Sequence, residues 1–429
     1  MGLTPARNYE SLLGDGLMRL LATAGDDLDK YCIGLNEMNI HGPNGEGWTS
    51  DLLAAELVRL ELVGRSEPGQ SVHGAKPQDR PYVTQPIAPM PKTVDDLLEI
   101  GLMDLWYLVA RTTDVSDKPV FLRRLSRNLV LWRDQQGRLQ VLEDYCPHRG
   151  APLSMGEVIN GEISCPYHGI RLNGSGEVTA VPPTHDCPMV GKTKVKVYSH
   201  REFAGAIWVY FTEERDAVPP EPVFPEEVSS PDWTGFLFMA EWNCNWQITL
   251  DNRVDPIHGS FLHGGTFTLS DGRKDAELQI RPTKHGFETS RDNQKGVNID
   301  WHAVEFHPGN ILWVRTEIPY PNAVGGGFFR INGHPTPIDH DRTLVWFYRS
   351  RSLTGWKRDM WRFLYRNRLE AHAFDVVEQD RKLLERIPLA ARQREDLIRT
   401  DIALTRMRRM LRQEAERQLL AFAGNPAEE

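Results

Sequence analysis

The chain has 429 residues, too long for one ordinary core and suited to two or three domains. Hydrophobic residues at 40% and charged residues at 25% exclude a disordered or fibrous protein, and a net charge of −9 argues against a general binder of phosphate backbones. No apolar run approaches the ~18 residues of a membrane span, and residues 1–15, with Arg7 and Glu10, carry no signal-peptide pattern. Five cysteines, an odd number, do not make a disulfide framework, so a reducing, cytoplasmic setting is expected.

Taken in chain order, residues 1–65 read as helical, because Tyr9, Leu12, Leu13, Leu17, Leu20 and Leu21 recur at three- and four-residue intervals. A Gly-rich loop from His41 precedes a second helix, Leu52–Leu62, with Ser50 or Thr49 as its N-cap. The string IGLNEMNIHGPNGEGWTSDLLAAEL resembles the helix-turn-helix of some serine recombinases. The acidic balance and the few Arg residues here favour a packing or assembly element with no nucleic-acid partner. Six prolines between Pro68 and Pro91 interrupt any helix or central strand, so 66–98 reads as a linker. Residues 99–218 read as β-rich, with strands at Leu129–Trp132, Leu139–Leu142 and Ala206–Phe211 and a hairpin turn at Gln135–Gly137. A Pro-rich boundary at Pro219–Pro225 opens a region 219–429 that mixes a helix around Asn245–Ile257, strands at Glu277–Arg281 and Ile311–Ile318, and helices from Trp356 to Phe422.

Cys146-Pro-His148 and Cys165-Pro-Tyr-His168 place one thiol and one imidazole in each of two loops. Zinc-finger pairs usually take two Cys and then two His, whereas paired loops of this kind suit a Rieske [2Fe–2S] cluster, two Cys on one iron and two His on the other. Zinc is the alternative. Cys32, Cys187 and Cys244 have no matching partner spacing.

Further on, Asn252, Asp255 and His258 lie three apart, neighbours on one helical face, and His263 follows five later. Two His five apart diverge by about 140° on a regular helix, so the helix must end near Pro256–Gly259 for both to reach one ion. The pattern Asn-x₂-Asp-x₂-His-x₄-His, downstream of the paired loops, resembles the oxygenase components of Rieske non-haem iron oxygenases over residues 100–420. The ending from Thr400 is similar to the phthalate dioxygenase and aryl-ether O-demethylase branch.

The resemblance implies an α+β fold: an all-β Rieske domain plus a helix-grip-like catalytic domain with C-terminal helices, behind a small helical segment. It implies a mononuclear Fe(II) held by His258, His263 and a downstream carboxylate. Asp380 fits the family pattern best, with Asp375 and Glu378 as competitors. It also implies a role for Asp255 between His168 of one subunit and His258 of the next in a head-to-tail ring, usually a homotrimer, with Asn252 just beyond bonding distance of the iron. The implied enzyme uses O₂ as co-substrate and takes electrons from NAD(P)H only through a separate reductase, with or without a ferredoxin. Its expected reaction is hydroxylation or O-demethylation of a small aromatic substrate, an aromatic acid above all, with Arg330 or Arg291 as candidate carboxylate anchors. The alternative is an electron-transfer Rieske protein without substrate chemistry, and the His258/His263 pattern argues against it.

Overall fold

The computed structural model describes residues 5–66, 91–214, 217–265, 274–275, 277–291, 299, 301–307, 309–320 and 326–424. The proline-rich run from Pro68 lies outside these, apart from Pro91. The fold is α+β, as the sequence implies.

Three helices open the chain: α1 (Pro5–Ala24), α2 (Leu28–Glu37) and α3 (Ser50–Ser66). Asp27 caps α2 by accepting from the N–H groups of Asp29 and Lys30, and Thr49 caps α3 by accepting from that of Leu52. Leu13, Leu17, Leu35, Leu53 and Leu57 form their common core. That core is closed from outside the module, by Met360, Phe363 and Leu364 of a helix that begins 331 residues after α1 ends. The stretch 66–98, expected as linker, ends in a further helix, α4 (Val94–Ile100), started by a reciprocal Thr93–Asp96 capping box.

Ten short strands follow in three antiparallel sheets. One holds β1 (Leu105–Arg111), β9 (His200–Phe203) and β10 (Ala206–Phe211), and a second holds β2 (Val120–Arg124), β3 (Arg127–Arg133) and β4 (Leu139–Glu143). The third holds β5 (Glu157–Ile159), β6 (Glu162–Ser164), β7 (Arg171–Leu172) and β8 (Val178–Ala180). The β3–β4 hairpin turns through Gly137 at φ +74°, where a side chain would be strained.

After α5 (Glu226–Ser229), β11 (Trp233–Trp242), α6 (Trp246–Val254) and α7 (His258–Leu262) come β12 (Leu278–Thr283), β13 (Gly286–Arg291), β14 (Trp301–Phe306), β15 (Leu312–Pro319), β16 (Phe328–Gly333), β17 (Thr336–Pro337) and β18 (Thr343–Ser352). They form one antiparallel sheet in the order β11-β18-β16-β15-β14-β13-β12, with β17 beside β18. One long helical run crosses this sheet: α8 (Gly355–Leu364), a π-turn (Tyr365–Leu369) and α9 (Glu370–Leu384). The last helix, α10 (Ile402–Gly424), returns to the β-rich domain, where Gln418 exchanges hydrogen bonds with both backbone groups of Met103 at 2.9 and 2.7 Å.

Trp208 of the first domain packs against Trp313 and Trp346 of the second, with ring centroids 5.9 and 5.2 Å away, so the two domains share one aromatic core. Among the described residues, no helix is long and apolar enough to cross a membrane. Leu57→Ala, which opens a void where α3 meets α8, is expected to destabilise the chain by about 2–5 kcal/mol. Thermal unfolding followed by circular dichroism checks this.

Candidate metal centres and cavity

The α6 helix stops at Val254 rather than running to Ile257. Asp255 is extended (φ −94°, ψ 105°), as the residue before Pro256 must be to avoid the proline ring. The break lets α7 set out in a new direction, and His263 ends it. The structure brings His258 Nε2 to 3.6 Å and His263 Nε2 to 3.3 Å from Asp380 Oδ1, and the three ligand atoms lie within 4.8 Å of one another. Of the competing carboxylates, Asp375 is exposed and Glu378 is paired with Arg381.

Each ring is held from behind. His258 Nδ1 meets the Asp255 carbonyl, and His263 Nδ1 lies 3.0 Å from Gln379 Oε1, which fixes Nε2 as the atom facing Asp380. Asn252 Nδ2 donates to Asp380 Oδ1 at 3.2 Å. Burial pulls the His263 pKa down, the Asp380 carboxylate pulls it up, and the carboxylate prevails. Two imidazoles and one carboxylate on one side of an otherwise open space are the donor set of non-haem Fe(II) sites, so the residues fit that metal. Gln379 escapes the sequence reading, because no spacing rule separates it from the other polar residues of α9.

These donors open into a cavity of about 180 Å³ walled mainly by apolar side chains, Trp242, Ile318, Phe329, Phe347 and Trp361 among them. A cross-strand row on its floor carries several of its polar groups. His302 pairs with Thr316, Thr316 with Ile331 and Ile331 with Arg349 across successive strands, so all four share a face. Burial, reinforced by Arg253, drives the His302 pKa down to about 3, which keeps its imidazole neutral. Among the described residues, its Nδ1 and the Thr316 hydroxyl are buried without a hydrogen-bond partner. Buried Arg253, pulled down to about 10 by desolvation, still carries its charge at neutral pH. The two arginines expected as anchors lie elsewhere. Arg330 is bound to Glu227 and Glu317, Arg291 reaches Ser260, and neither lines the cavity.

The paired Cys/His loops lie at β4–β5 and β6–β7 and are conformational twins despite their different spacing. In each, the Cys N–H donates to the carbonyl five residues on (Cys146 to Ala151, Cys165 to Ile170), and the Gly four residues on donates back to the Cys carbonyl. Gly150 and Gly169 close these turns at φ +73° and +68°. Both thiols are buried, whereas His148 is exposed and His168 half-buried, with ring centroids 4.8 Å apart. Burial pushes the Cys146 thiol up to about 11, while the N–H groups of His148 and Arg149 oppose that shift. Among the described residues His168 Nδ1 is buried with no hydrogen-bond partner, as suits a metal-ligating nitrogen. Two thiols inside, two imidazoles outside and an orphaned ring nitrogen fit a [2Fe–2S] group. Cys32, Cys187 and Cys244 are free thiols outside these loops.

Asp380→Ala is expected to remove one iron per chain and leave the visible absorption of the cluster intact, and Asp375→Ala to change neither. Cys146→Ala or His168→Ala should do the reverse and abolish that absorption. Gln379→Leu should weaken ferrous binding ~10–100-fold while the fold persists. Iron quantitation and absorption spectra on the same samples separate these outcomes.

Residues 105–199 match the Rieske [2Fe-2S] domain family, and residues 242–417 match the vanillate O-demethylase oxygenase C-terminal domain family. Residues 4–61 match a recombinase-like helix-turn-helix domain family. The vanillate O-demethylase oxygenase subunit of Pseudomonas sp. (strain HR199 / DSM 7063) is 30% identical over 38% of this chain and 45% of its own length. Chlorophyllide a oxygenase of Chlamydomonas reinhardtii is 30% identical over 51% of this chain and 34% of its own length. The matched stretch therefore spans less than half of either relative. Among solved structures, dicamba monooxygenase bound to 3,6-dichlorosalicylic acid shares the fold at a TM-score of 0.60 and 21% identity, over 74% of this chain and 98% of that one. The terminal oxygenase of carbazole 1,9a-dioxygenase from Nocardioides aromaticivorans IC177 does so at 0.60 and 17%, over 75% and 96%. The chain thus carries, in sequence, a member of the Rieske [2Fe-2S] domain family and a member of the vanillate O-demethylase oxygenase C-terminal domain family, on the fold of these solved oxygenases.

Proposed function

We propose that the chain is a terminal oxygenase that hydroxylates or O-demethylates an aromatic acid with O₂, using electrons that a separate NAD(P)H-dependent reductase delivers directly or through a ferredoxin. The observation that carries this reading is the convergence of His258, His263 and Asp380 at the wall of a largely apolar cavity. A mere electron carrier has no use for such a cavity. Bound there, Fe(II) would supply the redox chemistry that activates O₂, and the [2Fe–2S] group on Cys146, His148, Cys165 and His168 would supply the electrons.

The chain's own residues do the rest. The apolar walls exclude water and receive an aromatic ring, while few polar groups fix its orientation. Arg253 and Arg349 give this dry space a positive character suited to a carboxylate, and neutral His302 and the Thr316 hydroxyl offer hydrogen bonds.

For Asp255 the proposed role is a bridge between subunits of a head-to-tail ring, a homotrimer. Its Oδ1 accepts from the N–H groups of Ile257 and His258, and its carboxylate is partly exposed beside the His258 ring. That leaves Oδ2 to accept from an imidazole of a neighbouring copy. A cytoplasmic setting belongs to the same proposal.

The helix-turn-helix match favours a second reading, a DNA-binding regulator. The three residues between α1 and α2 have the length of such a turn, but against this reading all three helices turn apolar faces into the protein, Leu13 and Leu17 of α1, Leu35 of α2, and Leu53, Leu57 and Leu60 of α3.

Three irons per chain and incorporation of labelled O₂ into products from a panel of aromatic acids and aryl methyl ethers are expected. Two irons and no product across the panel would favour the electron carrier. Nanomolar, sequence-specific duplex binding at physiological salt would favour the regulator. Asp255→Asn keeps the Oδ1 contacts but loses the charge. It should retain full iron content yet slow product formation in a single turnover ~10–100-fold or more.

A further inference from the structure

The helix that carries Asp380 is not regular. Glu370 N–H bonds to the Tyr365 carbonyl five residues back, so residues Tyr365–Leu369 form one wide π-turn between α8 and α9. The phase of this interruption matters. On an unbroken α-helix at about 100° per residue, Asp380 would lie about 100° around the axis from Trp361. A single π-turn takes up about that angle, and Trp361 and Asp380 both line the cavity. The turn thus sets which face of α9 meets His258 and His263.

A wide turn is inherently poorer than α-helix, and two arginines hold it from opposite sides. From the sheet, Arg349 donates to the Tyr365 hydroxyl at 2.8 Å and to the Ala373 carbonyl at 3.0 Å. From the outside, Arg368, itself in the π-turn, reaches into α1. Its Nη2 donates to the Ser11 carbonyl at 2.6 Å and the Ser11 hydroxyl at 2.9 Å, and its Nε to Asp15 Oδ1 at 2.9 Å. The α1 backbone passes so close that a Cβ on Gly14 would sit 3.5 Å from Arg368 Cζ. Tyr365 and Leu369, which flank Arg368 in the turn, belong to the core of the N-terminal module and line the cavity as well.

We propose that the N-terminal three-helix module is a phase lock for the metal-ligand helix: through Ser11 and Asp15 it pins Arg368, keeps the π-turn from relaxing to α-helix, and so holds Asp380 and the cavity wall in register. Arg368 is a positioning residue. The inference rests on the reading of His258, His263 and Asp380 as an iron site, and it gives the recombinase-like helices a task inside the oxygenase.

The test compares purified full-length holoenzymes. Arg368→Met keeps the aliphatic stem and removes the three contacts to α1. It should weaken ferrous iron at the mononuclear site ~10–100-fold in a chelator competition, leave the cluster absorption unchanged, and speed hydrogen–deuterium exchange across residues 361–380. Arg368→Lys should restore part of both effects, since an ammonium can still reach Asp15. Asp15→Ala, at a half-exposed position, gives a milder form of the same result should the Met variant fold poorly. Leu57→Ala loosens the module's core without touching Arg368, and it should lower the unfolding midpoint while ferrous affinity stays as in the wild type. Wild-type ferrous affinity and wild-type exchange in Arg368→Met would overturn the proposal. So would equal iron loss in Leu57→Ala, which would make the effect general packing. A wild type holding only two irons would refute the iron reading instead, and the exchange measurement would still decide the lock.

Discussion

The mononuclear site depends on one long-range convergence, the arrival of the Asp380 carboxylate beside Asn252, His258 and His263 across 128 residues of chain. No local rule produces it. The α6 helix has to stop at Asp255, α7 has to turn His263 back, and α9 has to present one particular face. Each donor is then fixed by a second group: the Asp255 carbonyl behind His258, Gln379 behind His263 and the Asn252 amide on Asp380. Donors held in this way need little rearrangement to accept an ion, which is the physical content of a pre-organised site.

The frame behind these donors is tied together by charge as well as by packing. Asp251, the neighbour of Asn252, is buried and paired with Arg408 of α10 and with Arg392. Burial raises its pKa and the two guanidinium groups oppose that shift, so it is a costly charge held by good geometry. The same α10 bonds to Met103 through Gln418, and Trp208, Trp313 and Trp346 fill the space between the domains. The two domains are therefore joined by side-chain packing and by α10.

The cavity shows how burial can divide the roles of basic groups. His302 and Arg253 share a dry environment, yet the imidazole is driven neutral while the guanidinium keeps its proton. An imidazole titrates near neutral pH before burial and is carried well below it, whereas a guanidinium starts so far above that the same desolvation leaves it charged. The result is a fixed cation beside a neutral hydrogen-bonding group on an otherwise apolar wall, a combination that discriminates by both charge and shape.

Much of this was legible in the residues alone. The Cys146/His148 and Cys165/His168 loops are local motifs, and short-range spacing is enough to announce paired thiol and imidazole donors. The run from Asn252 to His263 is equally local, and Pro256 with Gly259 signalled the break that the convergence needs. The helical character of residues 1–65 followed from periodicity. Asp380 could be ranked above Asp375 and Glu378 only by resemblance, because on α9 all three are spaced like ordinary surface charges. The tertiary structure alone decided the rest. His302, Thr316 and Arg349 meet through strand register, which brings together residues distant in sequence, and that register also leaves Arg330 in ion pairs away from the cavity. The partner of the N-terminal helices was equally invisible, since their apolar stripes specify that something is buried and not what buries it. Sequence spacing determines chemistry that is built within one turn or loop; what is built between elements depends on packing and register, which no single segment encodes.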